Sequence, residues 1–162
     1  MAIVYLGIGS NLQPSANLQL AARELRSRFT LREISSVYRN KAVGFEGEEF
    51  LNAVACIETD MSPLQVCREL EAIHDMAGRR RGGNAFVSRT LDIDLLLYDQ
   101  EIIDESPVRI PRGDILTYSF VLGPLAEIAP DLVHPASGRT IAAHWAEFDT
   151  DSHPLHREDL IL

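Results

Sequence analysis

The stretch Ser88-Arg89-Thr90-Leu91-Asp92-Ile93-Asp94-Leu95-Leu96-Leu97-Tyr98 decides how the rest of the chain is read. Its apolar run around a β-branched isoleucine predicts a buried strand rather than a helix. Alternation along a strand puts Asp92 and Asp94 on one face and Leu91, Ile93 and Leu95 on the other. Two residues of strand span roughly 6.6 Å, so the two carboxylates can share one hard cation or hold two side by side. Buried unpaired charge is costly, so such a pair needs cations, basic partners or a water-filled cleft.

Basic partners lie just upstream. Gly78-Arg79-Arg80-Arg81-Gly82-Gly83-Asn84 sets three arginines in a glycine-bounded loop, and Arg89 immediately precedes the strand. Carboxylates able to hold magnesium, beside arginines able to clamp phosphate oxygens, point to phosphoryl-type transfer from a nucleotide. The plainer alternative is a strand whose acids pair with the neighbouring arginines.

The 162 residues fit one domain with one substantial core, expected over 1–162, with a tail from about residue 148 given no defined structure. A formal net charge of −9 opposes nucleic acid or an anionic membrane surface as the main partner, which makes the arginine loop a local positive site on an acidic molecule. Cys56 in a predicted strand and Cys67 in a predicted helix read as reduced core residues of a cytoplasmic protein. No targeting pattern opens the chain, and no apolar run approaches a membrane span.

Taken in order, Ala2 to Gly9 is a predicted strand, and Gly7 and Gly9 read as a tight turn that lets backbone approach a neighbour. They lack the third glycine of a dinucleotide fingerprint. Ser15 is placed to cap a helix reaching about Arg28. Thr30 to Arg39 reads as one strand, and Asn40 to Glu48 as loop. Phe50 to Thr59 is a third strand, with Phe50, Asn52 and Val54 on one face and Leu51, Ala53, Ala55 and Ile57 on the other. The amide of Asn52 needs partners there: backbone is the favoured one, the edge of a flat heterocycle the other. Ser62-Pro63-Leu64-Gln65 opens a second helix with capping-box spacing, and Gly78 ends it. After the aspartate strand come a short strand through Ile103, an extended piece before Pro111, a helix over Leu122 to Ile128 and a last helix over Thr140 to Glu147. His153 and His156 sit in a polar terminus that reads as frayed rather than metal-binding. The order β-α-β-β-α-β followed by extra elements predicts an α+β fold. It has a ferredoxin-like core, a largely antiparallel sheet and flanking helices.

Several segments together resemble the 6-hydroxymethyl-7,8-dihydropterin pyrophosphokinase family of folate biosynthesis. They are Gly9-Ser10-Asn11-Leu12, Ser36-Val37-Tyr38-Arg39, Phe50-Leu51-Asn52-Ala53, Gly78-Arg79, Arg89-Thr90-Leu91-Asp92-Ile93-Asp94-Leu95, and the run Phe120-Val121-Leu122 to Ala129-Pro130. The resemblance covers residue 1 to about residue 135. It implies an ATP-dependent diphosphotransferase that moves pyrophosphate from ATP to the hydroxymethyl oxygen of a reduced pterin and releases AMP. It further implies two magnesium ions on Asp92 and Asp94, with Arg79 and Arg89 assisting the transfer. A pterin would lie among Asn40, Val43, Phe50, Asn52, Phe86 and Phe120, with Asn52 reading its edge and Phe120 stacking on its ring. ATP would lie against Glu71, His74, Arg81 and Leu95. The chain is expected to act as a monomer.

The sequence departs from the family pattern in a cluster of positions. His74 stands where a glutamate is usual, Ala85-Phe86-Val87-Ser88 replaces a stretch close to Arg-Trp-Gly-Pro, Pro111-Arg112-Gly113 replaces a Pro-His segment on the nucleotide side, and Tyr118 stands where an arginine is usual. Lys41-Ala42 also differs from the usual proline-containing loop. These departures leave an alternative: a divergent paralog that binds a pterin or related heterocycle with weak or no ATP-dependent transfer.

Overall fold

The computed structural model describes residues 1–41, 49–78 and 91–162. Its centre is β1 (Ala2–Ser10), which pairs antiparallel with β4 (Phe50–Thr59) on one side and β5 (Asp92–Tyr98) on the other. Beyond β4 lie β2 (Thr30–Ile34) and β3 (Val37–Asn40), and β3 in turn pairs with β8 (His156–Glu158). The sheet runs β5-β1-β4-β3-β8 with β2 also on β4, and every one of these pairings is antiparallel. The predicted ferredoxin-like core is therefore present, with β1 and β4 interior.

Helices cover both faces. α1 (Pro14–Arg28) and α2 (Pro63–Met76) bury Leu18, Ala21, Leu25, Val66, Leu70 and Ile73 against one face, where they meet Val4, Leu6, Ile8, Leu51, Ile57, Leu91, Ile93 and Leu95. Removing each of the valine, leucine and isoleucine side chains from water contributes about 1.5–3 kcal/mol. The opposite face carries α4 (Ser119–Ile128) and α5 (Ile141–Glu147), whose Leu122, Leu125 and Ile141 pack with Val54, Leu96 and Leu97. A hairpin of β6 (Ile103–Glu105) and β7 (Val108–Ile110) lies past β5, and a short α3 (Asp114–Thr117) leads into α4.

One irregularity on β5 matters for the site. Leu6 pairs with Leu95 while Tyr5 pairs with Leu97, so Leu96 is an extra residue bulged into the ladder. Both Leu96 and Leu97 consequently join the α4 side of the core, and strict alternation holds only from Leu91 to Leu96. That is the segment bearing the aspartates.

The elements depart locally from the sequence expectation. The strand expected over 30–39 is broken at Ser35–Ser36, because the Ser35 hydroxyl accepts from Val54 N at 2.9 Å and donates to Ser36 O at 2.8 Å. A side-chain oxygen has taken a ladder position, which splits β2 from β3. α1 begins at Pro14, one residue before Ser15, with Gln13 as N-cap and no side-chain cap. The α2 capping box forms as its spacing predicts, with Ser62 and Gln65 bonding reciprocally. Asn40, expected to open a loop, is the last residue of β3. α4 starts at Ser119 rather than Leu122, and α3 had no sequence signal. The polar tail, given no element by the sequence, supplies β8.

Candidate active site

The α4-facing side of β1 has no side chain at residues 7 and 9, and this absence makes the site. Gly7 lies opposite Asp94 and Val54, and Gly9 lies opposite Asp92 and Asn52. A Cβ on Gly9 would stand 2.8 Å from Asn52 Oδ1, and one on Gly7 3.4 Å from a Leu96 methyl. Gly7 and Gly9 are thus inside a strand rather than in the expected turn, although the close backbone approach predicted for them is present.

Over these glycines lies a cavity of about 250 Å³, lined by Asn40, Phe50, Asn52, Asp92, Asp94, Asp114, Tyr118 and Phe120 among others. Asn52 is buried, and its Nδ2 donates to Asn40 Oδ1; Asn40 Nδ2 donates to Lys41 O at 2.9 Å. The backbone partner favoured for Asn52 is replaced by a side-chain amide, which holds the group at the cavity wall. Tyr118 and Phe120 stack with ring centroids 4.9 Å apart and planes 16° apart, which presents an aromatic surface beside the amides.

A second cavity of about 600 Å³ lies beyond β5, lined by Cys67, Arg68, Glu71, His74, Asp92, Asp94, Leu95, Arg109 and Arg112 among others. β5 ends the sheet, so its polar side chains are reachable from the strand face and from beyond the edge. Asp92 and Asp94 line both cavities and stand on the wall between them.

The electrostatics fit a place meant for cations. Burial, reinforced by the adjacent Asp92 carboxylate, pushes Asp94 up to about 7, and the Arg112 guanidinium only partly opposes this. Arg112 Nη2 stands 3.7 Å from Asp94 Oδ1 and its Nε donates to Asp114 Oδ2 at 3.1 Å. Although burial lowers it, those carboxylates hold the Arg112 guanidinium above its ordinary range. Two carboxylates on an open wall suit magnesium, which takes one or two protein oxygens and completes its shell with water and substrate phosphates. Among the described residues no cluster of three or more His, Cys, Asp or Glu forms a closed protein cage.

His74 is held by the fold itself. Its Nε2 accepts from Ile93 N at 2.8 Å, and its Nδ1 lies 3.4 Å from Glu71 Oε1. The helix residue therefore ties α2 to the aspartate strand while lining the larger cavity.

Of the site residues expected from the sequence, Asn40, Phe50, Asn52 and Phe120 meet around the smaller cavity, and Glu71, His74 and Leu95 around the larger. Arg79, Arg81, Phe86, Arg89 and Val43 lie outside the described residues. Asp114 was missed, and Arg112 and Tyr118 were noted only as departures. Their placement depends on the chain returning from the β6–β7 hairpin, where Arg112 N donates to Leu96 O at 3.0 Å. No local pattern signals that contact.

A ferredoxin-like sheet carrying two chambers joined at a pair of aspartates has the layout of a two-substrate transfer site. Residues 5–130 match the 7,8-dihydro-6-hydroxymethylpterin-pyrophosphokinase (HPPK) family. The chain is 42% identical over 144 residues to the 2-amino-4-hydroxy-6-hydroxymethyldihydropteridine pyrophosphokinase of Haemophilus influenzae, covering 85% of this chain and 88% of that one. It is 35% identical over 137 residues to the protein of the same name from Aquifex aeolicus, covering 83% and 85%. Among solved structures, wild-type Plasmodium falciparum HPPK-DHPS superposes with a TM-score of 0.72 at 12% identity; the match covers 98% of this chain and 47% of that longer one. That likeness speaks for the fold alone. The chain belongs to the 7,8-dihydro-6-hydroxymethylpterin-pyrophosphokinase family.

No helix among the described residues is long and apolar enough to cross a membrane.

Proposed function

We propose that the protein transfers pyrophosphate from Mg-ATP to the hydroxymethyl group of 6-hydroxymethyl-7,8-dihydropterin, releasing AMP. The observation that carries this reading is the position of Asp92 and Asp94 on the wall shared by the two cavities. The smaller chamber, with two amides and an aromatic pair, suits a flat heterocycle with donors and acceptors on its edge. The larger, with Arg68, Arg109 and Arg112, suits a polyphosphate.

The residues divide the work accordingly. Asn52, oriented by Asn40, reads the pterin edge, and Phe120, backed by Tyr118, covers its ring. The hydroxymethyl group then faces the carboxylates, and the nucleotide approaches from the side of Glu71, His74 and Leu95. Bringing the hydroxyl and the β-phosphorus in line across this wall converts a bimolecular encounter into an oriented one. Asp92 and Asp94 would hold magnesium, two ions by family resemblance, which supplies charge neutralisation to the transferring group. Arg112 adds a positive charge to the same wall. Arg79 and Arg89 are proposed to assist on family resemblance.

The reading also makes residues 1–162 one functional domain. It takes the protein to act as a monomer in the cytoplasm.

The test is AMP release from ATP and magnesium with and without the pterin. Pterin-dependent AMP in the wild type, abolished in Asp92→Ala, is the expected result. Undiminished turnover in Asp92→Ala would overturn the mechanism.

A further inference from the structure

The segment after α5 lies beyond residues 5–130, the part of the chain that the family model covers, yet it reaches back to the acceptor chamber. It does so through three separate contacts. β8 extends the sheet by pairing with β3: Val37 with Glu158, Tyr38 with Arg157 and Arg39 with His156. Arg39 spans both sides of the edge, its Nε 3.2 Å from Glu158 Oε2 and its Nη1 3.1 Å from Glu49 Oε2. Leu155, alongside Trp145 of α5, packs against the bare backbone of Gly123 in α4, where a Cβ would meet Leu155 Cδ1 at 2.9 Å and Trp145 Cη2 at 3.0 Å.

These contacts converge on the residues that shape the smaller chamber. β3 has four residues and ends at Asn40, the partner of Asn52. A short strand at a sheet edge is weakly held by its one inner neighbour, and a second strand on its outer side removes that freedom. The tail also forms, through His153, Pro154 and His156, one wall of a cavity of about 460 Å³ whose other walls include Asn40, Tyr118 and Phe120. The tail thus stands directly behind three residues of the chamber assigned to the pterin. The ion pairs of Arg39 are largely exposed and weak taken singly, so the strand pairing and the seat of Leu155 carry the effect.

We propose that the segment from Phe148 to Glu158 is a positioning element for the acceptor: it fixes β3, and through it the Asn40–Asn52 amide pair, while leaving the nucleotide chamber unaffected. This rests on the assignment of the smaller chamber to the pterin. Leu155 is its principal positioning residue.

The experiment compares the wild-type chain with Leu155→Asp, Leu155→Met and Glu158→Pro. Glu158→Pro removes the β8 backbone donor that faces Val37, at a half-exposed position, and spares the core, so it serves where Leu155→Asp fails to fold. Pterin affinity is read by fluorescence titration and Mg-ATP affinity by calorimetry. Side-chain amide signals of Asn40 and Asn52 are read by NMR without ligand. Leu155→Asp and Glu158→Pro are expected to weaken pterin binding about tenfold or more, with Mg-ATP affinity held within about twofold. The two amide signals should shift or broaden in both, and Leu155→Met should restore all three readings. Unchanged amide signals in the folded variants, or a parallel loss of both affinities, would overturn the proposal. A wild type that fails to bind the pterin would overturn the functional assignment instead, and with it the acceptor role of the tail; the amide signals would still report whether the tail orders that pair.

Discussion

Gly9 and Asn52 face each other across β1 and β4, and the space that a Cβ at residue 9 would fill is taken by Asn52 Oδ1, only 2.8 Å from it. The amide reaches its place at the chamber wall because its neighbour is bare. Gly9→Ala should therefore displace Asn52 and break its bond to Asn40. The expected outcome is about a tenfold loss of pterin affinity with Mg-ATP affinity preserved, and a stability loss of about 1–3 kcal/mol from overpacking. Fluorescence titration and urea unfolding check the two parts, and unaltered pterin affinity would remove Asn52 from the reading.

Asp94 makes the metal-free protein sensitive to pH. Burial and Asp92 raise its folded value from 3.8 to about 7, so the folded state binds a proton that the unfolded chain releases. For this group, stability is complete below about pH 4 and is lost as pH rises through 7. Asp94→Asn should thus raise the melting temperature in a chelator at pH 7.5 and leave it nearly unchanged at pH 4. Added magnesium should stabilise the wild type at pH 7.5 and fail to stabilise the variant. Melting curves at the two pH values decide it.

Glu127 on α4 clamps the start of the edge strand, accepting from Ser36 N at 2.8 Å, Ser36 Oγ at 2.9 Å and Tyr38 Oη at 2.6 Å. Burial raises this carboxyl, but the bonds from Tyr38 and Ser36 outweigh it and hold the group below its ordinary range. Its contribution is therefore present above the unfolded value and disappears as pH falls through the folded one. Glu127→Gln should cost roughly 1 kcal/mol at pH 7, given the partial exposure of the clamp. The difference from wild type should vanish in strongly acidic buffer, and a gap that persists there would contradict the clamp.

His74 accepts the buried amide of Ile93, between the two aspartates. His74→Ala leaves that donor without its acceptor and should destabilise the fold by about 1–3 kcal/mol, beyond any effect on ATP. His74→Gln, which retains an acceptor, should recover part of the loss. Chemical denaturation of both variants gives the comparison.

Periodicity made most of the framework legible. The strand faces of Phe50 to Ile57 and of Leu91 to Asp94, and the capping box of Ser62 and Gln65, all formed as patterned. Each depends on neighbours within a few residues, and short-range spacing reports such arrangements directly. The break at Ser35 did not show, because it requires Val54 N from another strand. Nor did the place of Arg112, which depends on the chain returning past the bulge at Leu96.

By itself, then, the sequence determined which faces of which strands are apolar, where two carboxylates share a face, and, through the Arg-Thr-Leu-Asp-Ile-Asp segment and its companions, the family. Only the tertiary structure decided that those carboxylates stand between two chambers, that Asn40 rather than backbone holds Asn52, and that the polar tail forms the outer strand of the sheet. The reason is physical. A face is set by the two-residue period of one strand, whereas a chamber wall depends on which strand ends the sheet and on what fails to fill the space beside it.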